Sequence, residues 1–304
     1  MTKFNLKWVI IALTLISISA FWQCDESSNP VSQNNEYLPG SWSWVIWEHP
    51  DLNWNHDGHP YESTNFIVFS LSSSDSAKRQ MSDYAEESLV FLKNAFEFNS
   101  VQEMGITQKL DVYAKHYYLW WGARAYDEGI IVDAIDSDAF QTRYRNDLMI
   151  YKGTLKHELT HIIQQRFVAG REIPIWFNEG LCEYLATPEL GLHIATACGD
   201  PILTVTQLDA WRSKGFENPI TIEKWSDYPL IRTETYWQFY PMFQLAVAYL
   251  VDGSGLNRSI LDIKGILIDI QNGIDFQTTF EQRMGISVDD YRDNFYEWMY
   301  DFLS

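Results

Sequence analysis

The segment His157–His161, His-Glu-Leu-Thr-His, constrains the fold more strongly than any other part of the chain. Apolar residues on both sides of it predict a buried helix, on which residues four apart share one face and lie about 6 Å apart along the axis. The two imidazoles can then bind one metal ion at about 2.0 Å each. Glu158 is rotated about 100° around such a helix, so we expect it to contact a water on the ion and not the ion itself. Two core histidines without a metal are the alternative, but unpaired imidazoles are poor core residues.

A catalytic zinc site needs a third protein ligand and one open position. Glu179 is the candidate, because it lies eighteen residues after His161 in a segment that begins with the helix-starting Pro174. That separation allows a turn and a second, antiparallel helix. Glu183 and Glu189 are the alternative third ligands. We therefore predict one Zn2+ ion per chain, held by the two histidines and Glu179.

The motif and the segment after it resemble a known enzyme family. HELTH followed by WFNEGLCEYL is similar to the gluzincin metallopeptidases, in particular the peptidase MA-like bacterial proteins, and more distantly to aminopeptidase N and thermolysin. The likeness covers roughly residues 60–304, although residues 187–235 are longer than the family pattern and residues 25–60 match nothing in it. The resemblance implies a zincin-like fold and hydrolysis of peptide bonds by a zinc-activated water, with Glu158 as the general base.

The resemblance also implies a role for Glu183, one helical turn after Glu179. In thermolysin-like enzymes a carboxylate at this offset orients a zinc-binding histidine, so we expect Glu183 to contact His157; a solvated surface acid is the alternative. The chain has no recognisable GxMEN-type segment, which anchors the substrate amine in aminopeptidases. An endopeptidase is therefore slightly favoured over an aminopeptidase.

A tyrosine is the expected donor to the transition-state oxyanion. In aminopeptidase N-like enzymes this tyrosine precedes a Tyr-Leu pair, and the spacing to Tyr249 implies Tyr240. Tyr236, one helical turn earlier, is the alternative donor, and a plain core tyrosine is a third interpretation. If neither phenol serves, an unassigned histidine such as His193 is the next candidate.

The predicted strands come before most of the predicted helices. Apolar or alternating patterns predict strands at Phe66–Leu71, Lys109–Lys115 and Gly129–Ile135. Helical periodicity predicts helices at Ala77–Phe98, Lys152–Phe167, Pro174–Ala186, Thr235–Val251, Asp262–Gln271 and Val288–Leu303. We therefore expect an α+β fold, in which a small mixed β-sheet is followed by a mainly helical half, with the active-site cleft between them.

An apolar run from Trp8 to Trp22, preceded by two lysines, is typical of a bacterial export signal. We expect residues 1–23 to be a signal peptide and residues 24–40 to be a polar tether. Cys24 stands where the signal of a lipoprotein is cleaved and the cysteine lipidated, while plain secretion and an uncleaved anchor are the alternatives. The predicted location is the bacterial cell envelope, periplasmic or surface, or the medium.

The remaining residues, 41–304, are predicted to form the metallopeptidase domain, with residues 41–60 as a Trp-rich extension. The chain has 41 acidic and 22 basic residues, a net charge of −19, and no basic stripe that could neutralise phosphates. We expect a peptide or protein substrate, no nucleic acid, and membrane contact only through an N-terminal lipid; the oligomeric state is not predicted. Two other classes remain open: a binding module that stacks Trp42–Trp54 on polysaccharide, with a vestigial metal site, and a structural zinc protein.

Two of the three cysteines could form a disulfide in an oxidising compartment. Cys182 and Cys198 enclose a loop of fifteen residues, whose closure is worth up to ~3 kcal/mol. Two buried free thiols are the alternative.

Overall fold

A mixed β-sheet and eight α-helices make up the part of the chain that this computed structural model describes. The described residues are 59–116, 123–144, 147–186, 204–206, 208–209, 240–251 and 255–303. Most of them are helical, and the predicted α+β class is confirmed at this level. The signal at 1–23, the tether at 24–40 and all but the last two residues of the Trp-rich extension at 41–60 lie outside the described residues, and the three stay predictions.

The sheet has five short strands in the order β1-β2-β3-β5-β4. They are β1 (Tyr61–Glu62), β2 (Phe66–Phe69), β3 (Leu110–Lys115), β4 (Arg124–Tyr126) and β5 (Gly129–Asp133). The central strands β2, β3 and β5 are parallel, and the two edge strands β1 and β4 are antiparallel to their neighbours. The prediction of a small mixed sheet is therefore confirmed, although β1 and β4 were not predicted.

The helices supply most of the remaining structure. They are α1 (Asp75–Ala95), α2 (Asp138–Tyr144), α3 (Leu148–Val168), α4 (Ile175–Ala186), α5 (Tyr240–Val251), α6 (Ile260–Gln271), α7 (Phe276–Met284) and α8 (Val288–Leu303). All six predicted helices are present, the last with the predicted bounds and the others with shifted bounds, while α2 and α7 were not predicted. Positions 235–239 of the predicted fourth helix lie outside the described residues. None of the helices within the described ranges is both long enough and apolar enough to cross a bilayer.

Helix α3 lies in the middle of the domain. It packs against α1, α4 and α6 and also contacts strands β4 and β5. Its apolar side chains Leu155, Leu159, Ile162 and Ile163 have no exposed surface. A helix buried on most of its sides places whatever polar groups it carries in a water-poor environment, where they need partners.

An unpredicted cluster of charges lies at the carboxyl ends of β3 and β5. Lys115 and Asp133 are paired residues on these neighbouring strands, both fully buried, and their side chains form an ion pair. The Arg143 Nε atom of α2 lies 2.7 Å from the second carboxylate oxygen of Asp133. Two cations therefore contact one buried carboxylate.

Candidate metal centre

The motif residues His157, Glu158 and His161 lie on α3, as the apolar flanks predicted. The helix begins after Asp147, whose carboxylate accepts a hydrogen bond from the Met149 amide at 2.8 Å. This is the usual way in which an acidic side chain satisfies a free amide of the first turn. His157 and Glu158 are buried, and only a small part of His161 is exposed.

Glu179 is presented by α4, the second helix predicted for the site. Pro174 immediately precedes this helix, and its carbonyl accepts the amides of Phe177 and Asn178. Helix α4 lies against both α3 and α5. Gly180 permits the second contact, because a Cβ atom at this position would lie 2.3 Å from the Phe243 carbonyl oxygen of α5.

Three donor atoms converge between α3 and α4. The Nε2 atoms of His157 and His161 lie 3.1 Å apart, and Oε2 of Glu179 lies 3.4 Å from the first and 3.3 Å from the second. Nitrogen and oxygen ligands at about 2.0–2.1 Å from a tetrahedral zinc ion lie about 3.3–3.4 Å from one another. The spacing of these three atoms therefore fits a zinc ion, and it leaves one tetrahedral position without a ligand from this set.

The other ring nitrogen of each histidine faces an acceptor on α4. Oε1 of Glu183 lies 3.0 Å from Nδ1 of His157, and Oδ1 of Asn178 accepts from Nδ1 of His161 at 3.3 Å. An acceptor at Nδ1 favours the tautomer that carries its proton there, which leaves Nε2 free to bind a metal. The predicted contact of Glu183 with His157 is thus present in the structure.

Asn178 was missed by sequence reasoning. Its backbone carbonyl also accepts a hydrogen bond from Gln164 Nε2 at 3.0 Å, which ties α4 to α3 next to the site. The only available signal was its position beside the expected ligand Glu179, and an amide at that position does not by itself indicate a contact with His161.

Electrostatic interactions within the site shift several pKa values. Burial opposes the charged form of His157, but the carboxylate of Glu183, with those of Glu179 and Glu158, outweighs it and raises the pKa of that imidazole. Burial would raise the pKa of Glu179, yet the histidines lower it to about 2. Because a metal has to displace the proton from His157, metal binding by this site weakens as the pH falls.

Glu158 is buried beside the three proposed metal ligands but is not one of them. Burial raises its pKa, while His157, His161 and Arg124 of the edge strand β4 act in the opposite direction. These interactions place the Glu158 carboxylate near both the ligands and the end of the sheet. A carboxyl with a raised pKa can both accept and return a proton near neutral pH.

Tyr240 lies close to the metal ligands. Its ring centroid is 6.3 Å from that of His157, and the side chain is buried at the beginning of the described part of α5. Pro241 follows within the first helical turn, as expected from the sequence. The alternative donors, Tyr236 and His193, lie outside the described residues, as does the alternative ligand Glu189.

The Cys182 sulfur also belongs to the cluster, although the sequence predicted it as half of a disulfide. Cys182 is a free, buried thiol in the structure, which is the alternative that the sequence left open, while Cys198 lies outside the described residues. Gln164 Nε2 donates to its Sγ at 3.0 Å. Burial, together with the nearby carboxylates, Glu179 first, raises the pKa of the thiol.

Two different third donors therefore stand beside the histidines. His157, His161 and Cys182 form a group whose ligand atoms all lie within 4.8 Å of one another, a group that could hold a metal ion. The carboxylate of Glu179 lies 3.3–3.4 Å from both nitrogens. This is the spacing that two nitrogen or oxygen ligands of one tetrahedral zinc ion have. Glu179 therefore fits the position of a third zinc ligand.

No family model matches the chain, and no curated protein matches it. The resemblance to the gluzincins thus stays a prediction drawn from the motif residues.

Proposed function

We propose that this chain is a zinc-dependent metallopeptidase of the gluzincin type, with a zincin-like fold, that hydrolyses peptide bonds outside the cytoplasm. The observation that carries the proposal is the convergence of His157 Nε2, His161 Nε2 and Glu179 Oε2 at mutual distances of 3.1–3.4 Å. Three protein ligands with one open position are the usual donor set of a catalytic zinc site. A bound zinc ion would supply a Lewis acid for the substrate carbonyl and lower the pKa of water at its open position to about 7.

Glu158 acts as the general base. Its carboxylate accepts a proton from the water that attacks the peptide carbonyl and delivers that proton to the departing amine. Burial of the side chain raises its pKa, and a base whose pKa lies nearer the working pH performs both transfers more efficiently. The adjacent His157 directs its Nε2 atom to the ligand triangle, so two neighbouring residues of α3 divide metal binding and proton transfer between them.

Tyr240 is the proposed donor to the oxyanion that forms when the carbonyl is attacked. Its ring centroid lies 6.3 Å from that of His157, one of the proposed metal ligands. A phenol in this position supplies a hydrogen bond that strengthens as negative charge develops on the oxygen. Tyr236 is the alternative donor.

The edge strand β4 supports a peptide as the substrate. Among the described residues β4 pairs only with β5, and the proposal puts the backbone of an extended peptide along its other edge. The charge of Arg124 on β4 lowers the pKa of Glu158, which supports an edge near the general base. A peptide bound along an edge strand continues in both directions, which favours an endopeptidase.

The decisive experiment combines metal analysis with peptide hydrolysis. The purified chain is assayed for bound metals, then incubated with an unbiased peptide library before chelation, after chelation and after zinc is restored. We expect one zinc ion per chain and cleavage that chelation abolishes and zinc restores; Glu158→Gln is the matched control that binds zinc without cleaving. A zinc-loaded chain with no cleavage of any peptide contradicts the proposal.

A structural zinc site is the second candidate, because a buried thiol stands beside the two histidines. Structural sites prefer cysteine and four protein donors. The Cys182 sulfur lies within 4.8 Å of the histidine nitrogens, so it could serve as a further donor in such a site. This candidate predicts that zinc removal lowers the melting temperature and that no peptide is cleaved.

Export is part of the same proposal and rests on residues 1–23, with lipidation at Cys24. Mass spectrometry of the mature protein tests it directly. An acylated N-terminal Cys24 supports a lipoprotein, another new N-terminus indicates plain secretion, and an intact Met1 contradicts cleavage.

A further inference from the structure

The Cys182 thiol has no role in the proposed hydrolysis, yet it is buried within reach of the metal ligands. Its sulfur lies within 4.8 Å of a nitrogen of both His157 and His161. It projects from α4 one turn after Glu179, so the helix that supplies the oxygen ligand also supplies a sulfur donor. The thiol is free and accepts a hydrogen bond from Gln164.

The two donors on α4 differ in chemistry. A carboxylate oxygen is a hard ligand, whereas a thiolate is soft and selects thiophilic metals. The oxygen of Glu179 has the spacing that zinc requires, at 3.3 Å from Nε2 of His161, and the sulfur lies within 4.8 Å of the histidine nitrogens. A softer cation such as Cd2+ favours the thiolate more strongly than zinc does.

We propose that Cys182 is a conditional metal ligand, which binds a thiophilic divalent cation together with His157 and His161 and closes the position that zinc leaves open for catalysis. This inference rests on the proposed metal centre, and it concerns the regulation of that site by the identity of the cation. With Cd2+ the site has four protein donors and no place for water. Cadmium therefore inhibits the enzyme by changing the coordination and not by blocking the substrate.

The ligand exchange is an acid–base step without oxidation. The S–H bond of Cys182 breaks, a cadmium–sulfur bond forms, and the proton passes to the buffer, so each cadmium ion bound releases the thiol proton in addition to any proton on the histidines. Gln164 Nε2 lies 3.0 Å from the sulfur and can keep donating to it, since an amide hydrogen bond to a thiolate is stronger than one to a thiol. The sulfur therefore keeps its hydrogen-bond donor after the exchange.

The test is a titration of the full chain with Cd2+ after its resident metal has been removed by a chelator. We expect a thiolate-to-cadmium charge-transfer band in the ultraviolet that saturates at one equivalent. Cys182→Ser removes the band and weakens cadmium binding at least roughly tenfold, as loss of a direct ligand should cost no less than loss of an outer partner. The same variant binds zinc with an affinity close to that of the parent chain.

Cys198→Ser is the matched control, because it removes the other cysteine of the mature domain and should retain the band. Circular dichroism and the second variant, Cys182→Ala, separate loss of the ligand from loss of the fold. A band that persists in both Cys182 variants, or one that disappears in Cys198→Ser, overturns the proposal. Stoichiometric cadmium binding without the band also overturns the proposal. This includes the case in which the two cysteines are found bridged and no thiol can be alkylated.

Failure of this inference and failure of the proposed function give different results. If cadmium and zinc both bind at one equivalent but cadmium produces no band, the metal centre stands and only the role of Cys182 is wrong. If neither cation binds, or if binding survives His157→Ala and His161→Ala together, the metal centre itself is wrong.

Discussion

Oε1 of Glu183 lies 3.0 Å from Nδ1 of His157, on the side of the ring opposite the ligand triangle. The same imidazole therefore has a carboxylate on each side, since Glu179 lies 3.4 Å from its Nε2. Glu179 and Glu183 are one turn apart on α4, so a single helix both completes the ligand set and orients one of its members. Outer carboxylates of this kind fix the tautomer of a metal-binding histidine and make it more basic.

The first prediction concerns this contact. Glu183→Gln keeps the shape of the side chain but removes its charge, so we expect zinc affinity to fall by roughly 10–100-fold while the fold is retained. Competition with a zinc chelator measures the affinity. Glu172→Gln, a change of an exposed acid between α3 and α4, is the control and should leave the zinc affinity unchanged. Equal affinities in both variants show that Glu183 is only a packing residue.

The second prediction identifies the third ligand. His157→Ala, His161→Ala and Glu179→Ala should each lose most of the bound zinc, because the remaining two donors cannot hold it against a chelator. Metal content per folded chain is the measurement. Full zinc occupancy in Glu179→Ala contradicts its assignment and leaves Glu183 or Glu189 as the ligand.

The third prediction separates metal binding from chemistry. Glu158→Gln is expected to keep near-normal zinc content and to lower the rate of hydrolysis by roughly 10² or more, because the amide cannot accept the proton of the attacking water. Zinc content and turnover are measured on the same preparation. Unchanged turnover excludes Glu158 as the general base.

The fourth prediction compares two phenols. Tyr240→Phe should lower kcat by roughly 10² to 10³ with zinc content intact, whereas Tyr236→Phe should stay active. The opposite pattern means that the spacing to Tyr249 misplaces the donor by one helical turn. If both variants keep full activity, another residue donates to the oxyanion, and His193 is the first candidate.

The fifth prediction concerns the buried cluster of Lys115, Asp133 and Arg143. Burial lowers the pKa of Lys115 from 10.5 to about 8, although Asp133 acts against this. Between these two values the unfolded chain binds more protons than the folded one, so the free energy of unfolding rises with pH, by about 3 kcal/mol over the whole interval. Denaturant unfolding at pH 7 and pH 10 measures the rise.

Lys115→Met should remove this rise and leave stability at pH 7 equal or higher, because Arg143 still pairs with the Asp133 carboxylate. Lys109→Met, which removes a surface ion pair with Glu62, is the control, and its free energy of unfolding should still rise with pH. A stability of Lys115→Met several kcal/mol below the parent chain at pH 7 shows that the buried lysine is a net stabilising group.

Long, strongly patterned segments could be predicted from the sequence, and short ones could not. The helix that carries His157 and the strand Leu110–Lys115 have enough apolar positions to reveal their period. Strand β4 has only three residues, with charged and aromatic side chains on the same face, so no alternation can be read from it. Helix α7 has few apolar residues, and only its capping residues Asp275 and Gly285 mark its ends.

The convergence of His157, His161 and Glu179 could be predicted because metal binding requires particular residue types at fixed helical spacing. The contact of Asn178 with His161 could not, since it depends on how α4 is rotated against α3 and not on either sequence alone. The position of the Cys182 sulfur could not be predicted for the same reason. Cys182 and Cys198 enclose fifteen residues, which is compatible with a disulfide. Only the packing of α3 and α4 shows that the Cys182 sulfur lies near the histidines.

The close approach of Gly180 to the Phe243 carbonyl has a consequence for the evolution of the chain. The contact between α4 and α5 fixes the position of the ligand Glu179 relative to Tyr240, whatever the length of the connection at residues 187–239. Doubling such a connection costs only about 0.6 kcal/mol of closure entropy. Insertions and deletions between the two helices should therefore leave the position of Glu179 relative to Tyr240 unchanged. Any side chain at position 180, by contrast, separates the two helices. If the proposed function holds, this segment is where relatives of the protein could change the substrates they accept while Glu179 and Tyr240 keep their positions.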